Sequence, residues 1–329
     1  MKKYLIAGIL VMVLLAAVGC KPKADVTVKR EVPADMVAPR QYTIIDFETT
    51  EATTLTIPAA EDTEATIQLA YQLYAAANRN DQNCRRRVAN SQCIATTNGK
   101  VNNSIELEIK NEDEYLKYEY RPFASHKILF IKITIDGYGR ATYARRDLAR
   151  SYQVEVDDSV IKDWVGKADF GDTQGTLYLN TDEFYFHASQ LPLYEATEAI
   201  VLPETIRSAT VTHDDEGGFY TVYMELNVNV ATTVRILEPK LQANSGLNDA
   251  YYQSIVKTFE IWDNGFFKSA TSLDKWVAVG EIVKGTIDFR TSYGYSEAEC
   301  DMNAYNDGYY TTIKAKCEAA NAAEAAGEN

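Results

Sequence analysis

Apolar and polar positions alternate through most of the chain beyond residue 100, and this alternation predicts β-strands. Ile105, Leu107 and Ile109 alternate with glutamates, and a similar pattern covers residues 116–120. The longest run covers residues 222–230, where every second side chain is apolar. Because a period of two places side chains alternately on the two faces of a sheet, each run is typical of a strand with one buried face.

Turn-forming residues separate these runs at short intervals. Residues 136–137, 213–218, 263–265 and 306–308 are rich in Asp, Asn and Gly and lie between apolar runs. These residue types adopt the backbone of tight hairpins at little cost. The pattern predicts a mainly β fold, with antiparallel sandwich-like or curved-sheet domains and one or two short helices, one of them at residues 159–166.

One stretch fits both periods. Within residues 65–77, large apolar side chains alternate with small or polar ones as far as Leu73. Ile67, Tyr71 and Tyr74 also fall on one face of a helix, for which Thr63 is a suitable N-cap. We interpret this stretch as a strand, and the polar residues 78–103 after it as an irregular insertion.

Prolines and a loss of alternation divide the chain. Three prolines among mixed charges at residues 21–41 predict an extended tether. Pro192 and Pro203 interrupt the pattern near the middle, so a boundary is placed there. The predicted organisation is a signal segment at 1–20, the tether at 21–41, a first β-rich domain at 42–195, a second at 196–317 and a low-complexity tail at 318–329.

Composition supports a folded and acidic body. Hydrophobic residues make up 46% and charged residues 24% of the chain, which is typical of globular proteins. The formal net charge of −14 means that the body as a whole repels nucleic acid and anionic lipid, which disfavours a partner with a phosphate backbone. The 22 tyrosines favour strands.

The amino end carries an apolar run of a different kind. Lys2 and Lys3 precede an unbroken apolar and small stretch at residues 4–18. This stretch is short of the roughly 20 apolar residues of a membrane-spanning helix and suits a secretion signal. It ends at residues 17–20 in Ala-Val-Gly-Cys, which resembles the lipobox of bacterial lipoproteins, although that family usually carries Leu at position 17.

The lipoprotein resemblance implies that Cys20 becomes an acylated mature amino terminus. Acyl chains of the palmitate kind would attach the protein to a membrane without a spanning helix, at roughly 0.8 kcal/mol per buried methylene. Lys21 stands where the family often carries the Asp of inner-membrane retention. The resemblance therefore implies an outer-membrane anchor, with the body in the periplasm or on the cell surface.

Four further cysteines suggest an oxidising compartment. Cys84, Cys93, Cys300 and Cys317 read as two disulfides in an exported chain. Three pairings are open, and proximity in the sequence favours Cys84–Cys93 with Cys300–Cys317. Neither pair has the CxxC spacing of a metal site and no histidine lies nearby.

The sequence offers no signature of catalysis. It contains no GxSxG or SxxK nucleophile motif, no P-loop and no dinucleotide fingerprint. We therefore predict no catalytic residue, no metal and no cofactor. His213 opens the acidic turn 213–218, whose oxygens resemble calcium ligands, but a solvated hairpin tip is the simpler interpretation.

Two groups of residues are weaker candidates for binding. Arg85, Arg86 and Arg87 form a positive run in an acidic chain and would suit an anionic glycan or an acidic partner, unless they pair with nearby carboxylates. Phe266 and Phe267 stand beside a turn glycine and would stack on sugars or proteins if exposed, and pack across the hairpin if not.

Taken together, these features predict a cell-envelope lipoprotein with a non-enzymatic binding or structural role toward a protein partner, a glycan or a surface. One alternative is a carrier whose curved sheet wraps a lipid or another apolar ligand. The other is an envelope hydrolase with an unrecognised site. A large apolar cavity would favour the carrier. Carboxylates clustered in a cleft would favour the hydrolase, and filled sheets with aromatic loop tips would favour the binder of partners or glycans.

Overall fold

The computed structural model describes residues 30, 32, 43–128, 131–135, 137–156, 176–180, 201–305 and 309–327. Over these ranges, one antiparallel sheet of eleven strands organises the molecule. A separate two-stranded hairpin, β4–β5, lies beside it. The mainly β, antiparallel prediction is confirmed.

The strands follow in chain order as β1 (Arg86–Thr97), β2 (Lys100–Asn111), β3 (Glu114–Arg121), β4 (Ala124–Ile128), β5 (Ile131–Ile135), β6 (Tyr138–Arg145), β7 (Arg150–Val156), β8 (Thr176–Asn180), β9 (Ile206–Asp214), β10 (Phe219–Leu226), β11 (Tyr251–Trp262), β12 (Phe267–Ala278) and β13 (Val283–Gly294). Their order across the sheet is β8-β7-β6-β3-β2-β1-β13-β12-β11-β10-β9. The helices are α1 (Thr63–Asn83), α2 (Ala231–Ser245) and α3 (Tyr309–Ala325), with short 3₁₀ turns at Pro203–Thr205 and Met302–Tyr305.

The two halves of the chain meet in the middle of the sheet. β1 pairs with β13 from Val88 opposite Gly294 to Thr97 opposite Gly285. Strands from both sides of the predicted domain boundary therefore share one sheet. The boundary itself, near residue 195, and the helix predicted at 159–166 lie outside the described residues.

Helix α1 corrects the strand predicted over residues 65–77. Asp62 caps the helix, since its side chain accepts a hydrogen bond from the Ala65 backbone N–H at 3.1 Å. Alanine and leucine are strong helix formers, and the helix buries Ile67, Tyr71 and Tyr74 on one face. The period-two alternation in this segment arises because Gln68 and Gln72 lie four residues apart on the less buried side of the helix.

The region predicted as an irregular insertion, residues 78–103, is regular. It contains the end of α1, the whole of β1 and the turn into β2. Asn98 and Gly99 form that turn with positive φ angles of 45° and 78°. Asn-Gly is the usual pair for such a tight hairpin, because both residues adopt left-handed backbone readily.

The carboxyl end is helical where a hairpin across residues 306–308 was predicted. The turn residues themselves lie outside the described ranges, but α3 starts directly after them. Alanine-rich sequence favours a helix, and Ile313 and Cys317 of α3 are fully buried against the sheet. The low-complexity tail predicted from residue 318 therefore continues this helix as far as Ala325.

The helices cover opposite faces of the sheet. We call the face under α1 and α2 the inner face and the face under α3 the outer face. On the inner face, α1 packs against alternate residues of β10 and β11, among them Val222, Met224 and Phe259. On the outer face, α3 packs against a cross-strand row that includes Ile109 and Leu116.

Helix α2 was not predicted from the sequence. It covers the far end of the inner face, where Leu241 packs with Trp276 and Val283. Gly246 ends the helix in the left-handed conformation at φ 68°. Since α1 and α2 cover different ends of the same face, the central strands between them are only partly covered.

Candidate functional site

A cavity of about 310 Å³ lies between α2 and the inner face of the central strands. The strands β1, β2, β12 and β13 contribute its floor, and α2, β5 and β6 contribute its sides. Its lining residues are Cys93, Ala95, Thr97, Asn102, Ser104, Arg121, Ile135, Tyr138, Leu241, Asn244, Ser245, Trp276 and Ile287.

Small side chains on the floor leave this space open. Ala95 and Thr97 of β1 and Ser104 of β2 point to the inner face, where bulkier residues would fill the cavity. Gly285 of β13 lies opposite Trp276 in the register. A Cβ atom at position 285 would approach Trp276 Cε2 to 2.2 Å, so glycine allows the indole ring to lie close over the strand.

The cavity wall is apolar on the side of α2. Leu241, Trp276 and Ile287 form a connected apolar group there. Phe289, which pairs with Cys93 across β1 and β13, is 37% exposed. An exposed aromatic ring in the middle of the inner face shows that no described helix covers this part of the sheet.

The opposite side of the cavity is polar and carries one cation. Asn102 and Ser104 lie on β2, and Arg121 ends β3. The Arg121 guanidinium carbon lies 4.7 Å from the centre of the Tyr138 ring, and Arg140 lies 4.4 Å from the same ring. The aromatic ring thus holds a positive group at the cavity edge.

A buried ionic group lies beside the cavity in the same layer of side chains. Lys257 Nζ lies 3.6 Å from Asp274 Oδ1, and Ser272 bonds both, donating to Asp274 Oδ1 at 2.5 Å. All three side chains are buried. Burial lowers the pKa of Lys257 and raises the pKa of Asp274, because each charged form loses hydration.

Cys93 faces the cavity as a thiol. Burial raises its pKa, although a hydrogen bond with Ser104 opposes that shift. A raised pKa reduces the thiolate fraction, so this cysteine is poorly suited to act as a nucleophile. Among the described residues, the lining contains no His, Asp, Glu or Lys to serve as a general base.

The predicted disulfide Cys84–Cys93 is not formed. Both residues are free thiols, and β1 is extended between residues 86 and 93, a span of roughly 23 Å. The Cα atoms of a disulfide lie only about 4–7 Å apart. Closeness in sequence did not predict closeness in space, because the segment between the two cysteines is an extended strand.

The predicted disulfide Cys300–Cys317 is also absent, since both are free thiols. Each is fully buried in the outer-face core, and their sulfurs approach different backbone carbonyls. Cys300 Sγ lies 3.9 Å from the Gly294 oxygen and Cys317 Sγ lies 4.0 Å from the Tyr143 oxygen. Burial raises the pKa of Cys300 to about 12 and that of Cys317 to about 11.

The three predicted arginines lie at the start of β1, away from the cavity, and face carboxylates of this chain. Arg85 lies 3.5 Å from Asp46, and Arg86 lies 3.1 Å from Glu112. Arg87 forms ion pairs with Asp81 and Glu108. These contacts match the alternative in which the arginines pair with nearby acids.

Phe266 and Phe267 lie inside the protein, with exposures of 0% and 4%. The Phe266 ring packs against Phe47 and Tyr295, at centroid distances of 5.3 Å and 5.0 Å. Phe267 stacks on Tyr293 at 5.4 Å. The rings thus serve as packing residues of the hairpin, and neither presents a face to a glycan or a protein partner.

His213 links two hairpins. Its Nδ1 lies 2.7 Å from Asp215 and its Nε2 lies 2.9 Å from Asp263. These hydrogen bonds raise the pKa of His213, because both carboxylates stabilise the charged ring. No group of three or more His, Cys, Asp or Glu side chains with the arrangement of a metal site is found in the described ranges.

Sequence reasoning missed the cavity residues. Leu241, Trp276 and Arg121 belong to separate elements, and only the sheet register brings them together. The one available signal was the series of small residues at inward positions of β1 and β2, which reads as weak strand sequence without the fold. No helix among the described residues has the length and apolar character needed to cross a membrane.

No protein family model matches the chain, and no curated protein matches it. Among solved structures, a DUF1329 family protein from Desulfovibrio piger is 12% identical with a TM-score of 0.18, covering 74% of this chain and 98% of that one. A putative outer membrane lipoprotein-sorting protein domain from Vibrio parahaemolyticus is 9% identical with a TM-score of 0.20 and the same coverage. MucB in complex with MucA(peri) is 7% identical with a TM-score of 0.12, covering 70% and 96%. At such TM-scores these likenesses establish neither fold nor function for this chain.

Proposed function

We propose that this protein is a non-enzymatic binding protein of the cell envelope that holds a small amphipathic ligand in the inner-face cavity. The observation that carries the proposal is a cavity of about 310 Å³ with an apolar wall and, among its described lining residues, one cation. This volume falls at the lower end of small-molecule sites, and such sites combine apolar walls with a few polar groups. The cavity is only partly apolar, so it supports the carrier alternative only for a small ligand that also has a polar part.

The lining suggests how the ligand lies. An apolar chain or ring would contact Leu241, Trp276 and Ile287. A polar or anionic group would lie toward Arg121, whose guanidinium lines the polar side of the cavity. A ligand with both parts satisfies both sides of the cavity without leaving a buried polar group unpaired.

A binding role is favoured over catalysis by the chemistry of the lining. The cavity residues include one thiol with a raised pKa and no acid–base pair. The ionic group of Lys257 and Asp274 lies outside the lining, and its members neutralise each other. The hydrolase alternative therefore lacks a site at this cavity.

The envelope location rests on the amino-terminal sequence. The signal-like run and its resemblance to a lipobox support a lipid anchor at Cys20, with the outer membrane as the proposed destination. A Cys20→Ser chain expressed with radiolabelled palmitate should carry no label, whereas the unaltered chain should carry it. Equal labelling of the two chains would remove the anchor from the proposal.

The ligand proposal is tested by measuring the affinity of the protein for a fluorescent fatty acid. The unaltered chain should bind the probe, and Ala95→Phe should lower its affinity at least tenfold by filling the cavity. Thr96→Phe is the matched control, because it adds the same ring to the next residue of β1 on the outer face. If both variants bind the probe like the unaltered chain, the cavity is not the binding site.

The polar side of the cavity is tested with a second pair of variants. Arg121→Gln should weaken an anionic probe several-fold and leave its uncharged alcohol analogue unaffected. Arg140→Gln is the control, since Arg140 stacks on the same tyrosine but does not line the cavity. Equal weakening by the two variants would show a general charge effect instead of a specific contact.

A protein partner or glycan that binds through Arg85, Arg86 and Arg87 stays a prediction. Replacing the three arginines by alanine should reduce retention on an anionic glycan column if that interaction exists. Unchanged retention would leave the arginines with only the ion pairs described above.

A further inference from the structure

The two most exposed large hydrophobic side chains of the described residues converge at one end of the molecule. Val101 is 58% exposed and Phe123 is 57% exposed. Val101 follows the β1–β2 turn, and Phe123 directly precedes β4. A hydrogen bond of 3.4 Å from Asn102 Nδ2 to the Pro122 oxygen joins the two segments.

We propose that this end of the molecule docks on the surface of an anionic lipid bilayer. The docking end comprises the β1–β2 turn, the segment at 122–123 and the described residues of the β4–β5 hairpin. Apolar side chains at such a surface enter the boundary between headgroups and acyl chains, while lysines beside them contact the headgroups.

The β4–β5 hairpin carries an unusual pair of charges. Lys127 and Lys132 lie directly opposite each other in the register, and both are exposed. Like charges at directly opposed positions destabilise a strand pair. An external anionic surface that contacts both lysines would offset this repulsion, so the lysine pair supports contact with such a surface.

Other cations lie at the same end. Lys100 directly follows the β1–β2 turn. The Lys284 carbonyl oxygen accepts a hydrogen bond from the Asn98 backbone N–H of the same turn at 2.8 Å. Both lysines are exposed, so they flank this turn with positive charge. Two exposed carboxylates lie at the neighbouring turn, where Glu281 is bonded by Tyr251 at 3.3 Å and Asp249 accepts a hydrogen bond from the Val279 backbone N–H at 2.7 Å. A local group of cations in a chain of net charge −14 is complementary to anionic lipid.

A bilayer is also within reach of the chain. Arg30 donates hydrogen bonds to the Pro203 and Ile206 carbonyl oxygens at 2.6 Å and 3.0 Å, so the chain between Cys20 and this contact is residues 21–29. Those residues span at most roughly 30 Å when fully extended. If Cys20 is acylated, the body stays within that distance of the bilayer. A protein partner would also contact exposed apolar residues, but the flanking lysines and the nearby anchor favour a lipid surface.

Docking in this orientation places the cavity beside the membrane. Arg121 lies two residues before Phe123, and Ile135 ends the hairpin; both line the cavity. The cavity side formed by these residues would then face the headgroup layer, from which an amphipathic ligand could enter. The docking proposal does not depend on that ligand, because its test measures only contact with lipid.

The test uses the full-length chain reconstituted in vesicles of brominated phosphatidylcholine, with and without one fifth phosphatidylglycerol. Phe123→Trp places an indole at the docking end, and Leu273→Trp places one on the exposed outer face of β12 as a control. Bromine quenches tryptophan only on close approach, so excess quenching over the unaltered chain reports contact with the bilayer.

Phe123→Trp should show at least twofold more excess quenching than Leu273→Trp, and phosphatidylglycerol should increase it. Adding Lys127→Glu and Lys132→Glu to Phe123→Trp should abolish the increase in quenching that phosphatidylglycerol causes. The matched charge reversals Arg207→Glu and Lys275→Glu should leave that increase unchanged. The proposal would be overturned by equal quenching at positions 123 and 273, or by quenching that does not change when Lys127 and Lys132 are replaced by Glu. Unfolding midpoints of the variants identify any that fail to fold, and Val101→Trp then replaces Phe123→Trp.

Discussion

The buried ion pair beside the cavity gives the sharpest test of the inner-face structure. Asp274→Asn keeps the shape of the side chain and removes its charge. Lys257 would then remain buried, with its side chain only 8% exposed and Ser272 as its partner. The free energy of unfolding should therefore fall.

The size of the effect follows from the distance. Two unit charges 3.6 Å apart attract by about 4–5 kcal/mol at an effective dielectric constant of about 20. Breaking a buried pair by removing one partner typically costs about 3–5 kcal/mol. Since Lys257 can lose its proton when its partner is removed, we expect a cost near the lower end of this range.

The matched control removes both charges. Lys257→Met with Asp274→Leu leaves no uncompensated ion, so this double variant should unfold within about 1 kcal/mol of the unaltered protein or be more stable. Urea-induced unfolding, followed by circular dichroism at neutral pH, measures all three proteins. A loss below about 1 kcal/mol for Asp274→Asn would show that water solvates the pair and that the inner face is more open than described.

Three further predictions concern separate parts of the molecule. Gly285→Ala should cost about 1–3 kcal/mol and change the tryptophan emission, because its Cβ would meet Trp276 at 2.2 Å; an unchanged emission spectrum would contradict the close approach of ring and strand. Iodoacetamide should modify Cys93 alone in the native protein, because it is the one partly exposed thiol among the described cysteines, and all four after unfolding. Two disulfides would leave none of the four to modify. The raised pKa of His213 means that its contribution to stability is complete at acidic pH and disappears as pH rises through that pKa. The melting temperature should therefore decline between pH 5.5 and 8.5 more steeply than in His213→Asn, and parallel curves would show that the two carboxylates do not hold the charged ring.

Parts of this fold could be read from local sequence. The strand β10 alternates in sequence because its inner positions are buried and its outer positions are more exposed, and the turn at 263–265 carries the residues that a hairpin requires. These signals depend only on neighbouring residues along the chain, so they can be recognised without the tertiary structure.

Other parts were hidden because their environment is set by distant residues. β1 reads as polar loop, since Asn90, Ser91 and Gln92 follow one another, yet it lies at the centre of the sheet. Its inner side borders a cavity and its outer side is partly exposed, so neither face demands strict alternation. Helix α2 contains Pro239, which usually argues against a helix.

The candidate site could not be predicted for a related reason. Arg121, Leu241 and Trp276 come from three elements separated by long stretches of chain, and each is unremarkable in its own segment. The cysteines were misassigned because sequence proximity was used in place of geometry. The extended backbone between Cys84 and Cys93 keeps their sulfurs apart.

The pairing of β1 with β13 determines when this protein can finish folding. Ser91 and Thr291 are hydrogen-bonded at 2.9 Å, although 200 residues separate them. Until the carboxyl-terminal strands have been synthesised, β1 exposes an unpaired edge that other chains can join. Contacts so far apart in sequence also form slowly. The incomplete chain therefore depends on protection from aggregation until β13 pairs with β1, and a truncation before β13 would leave that edge permanently open.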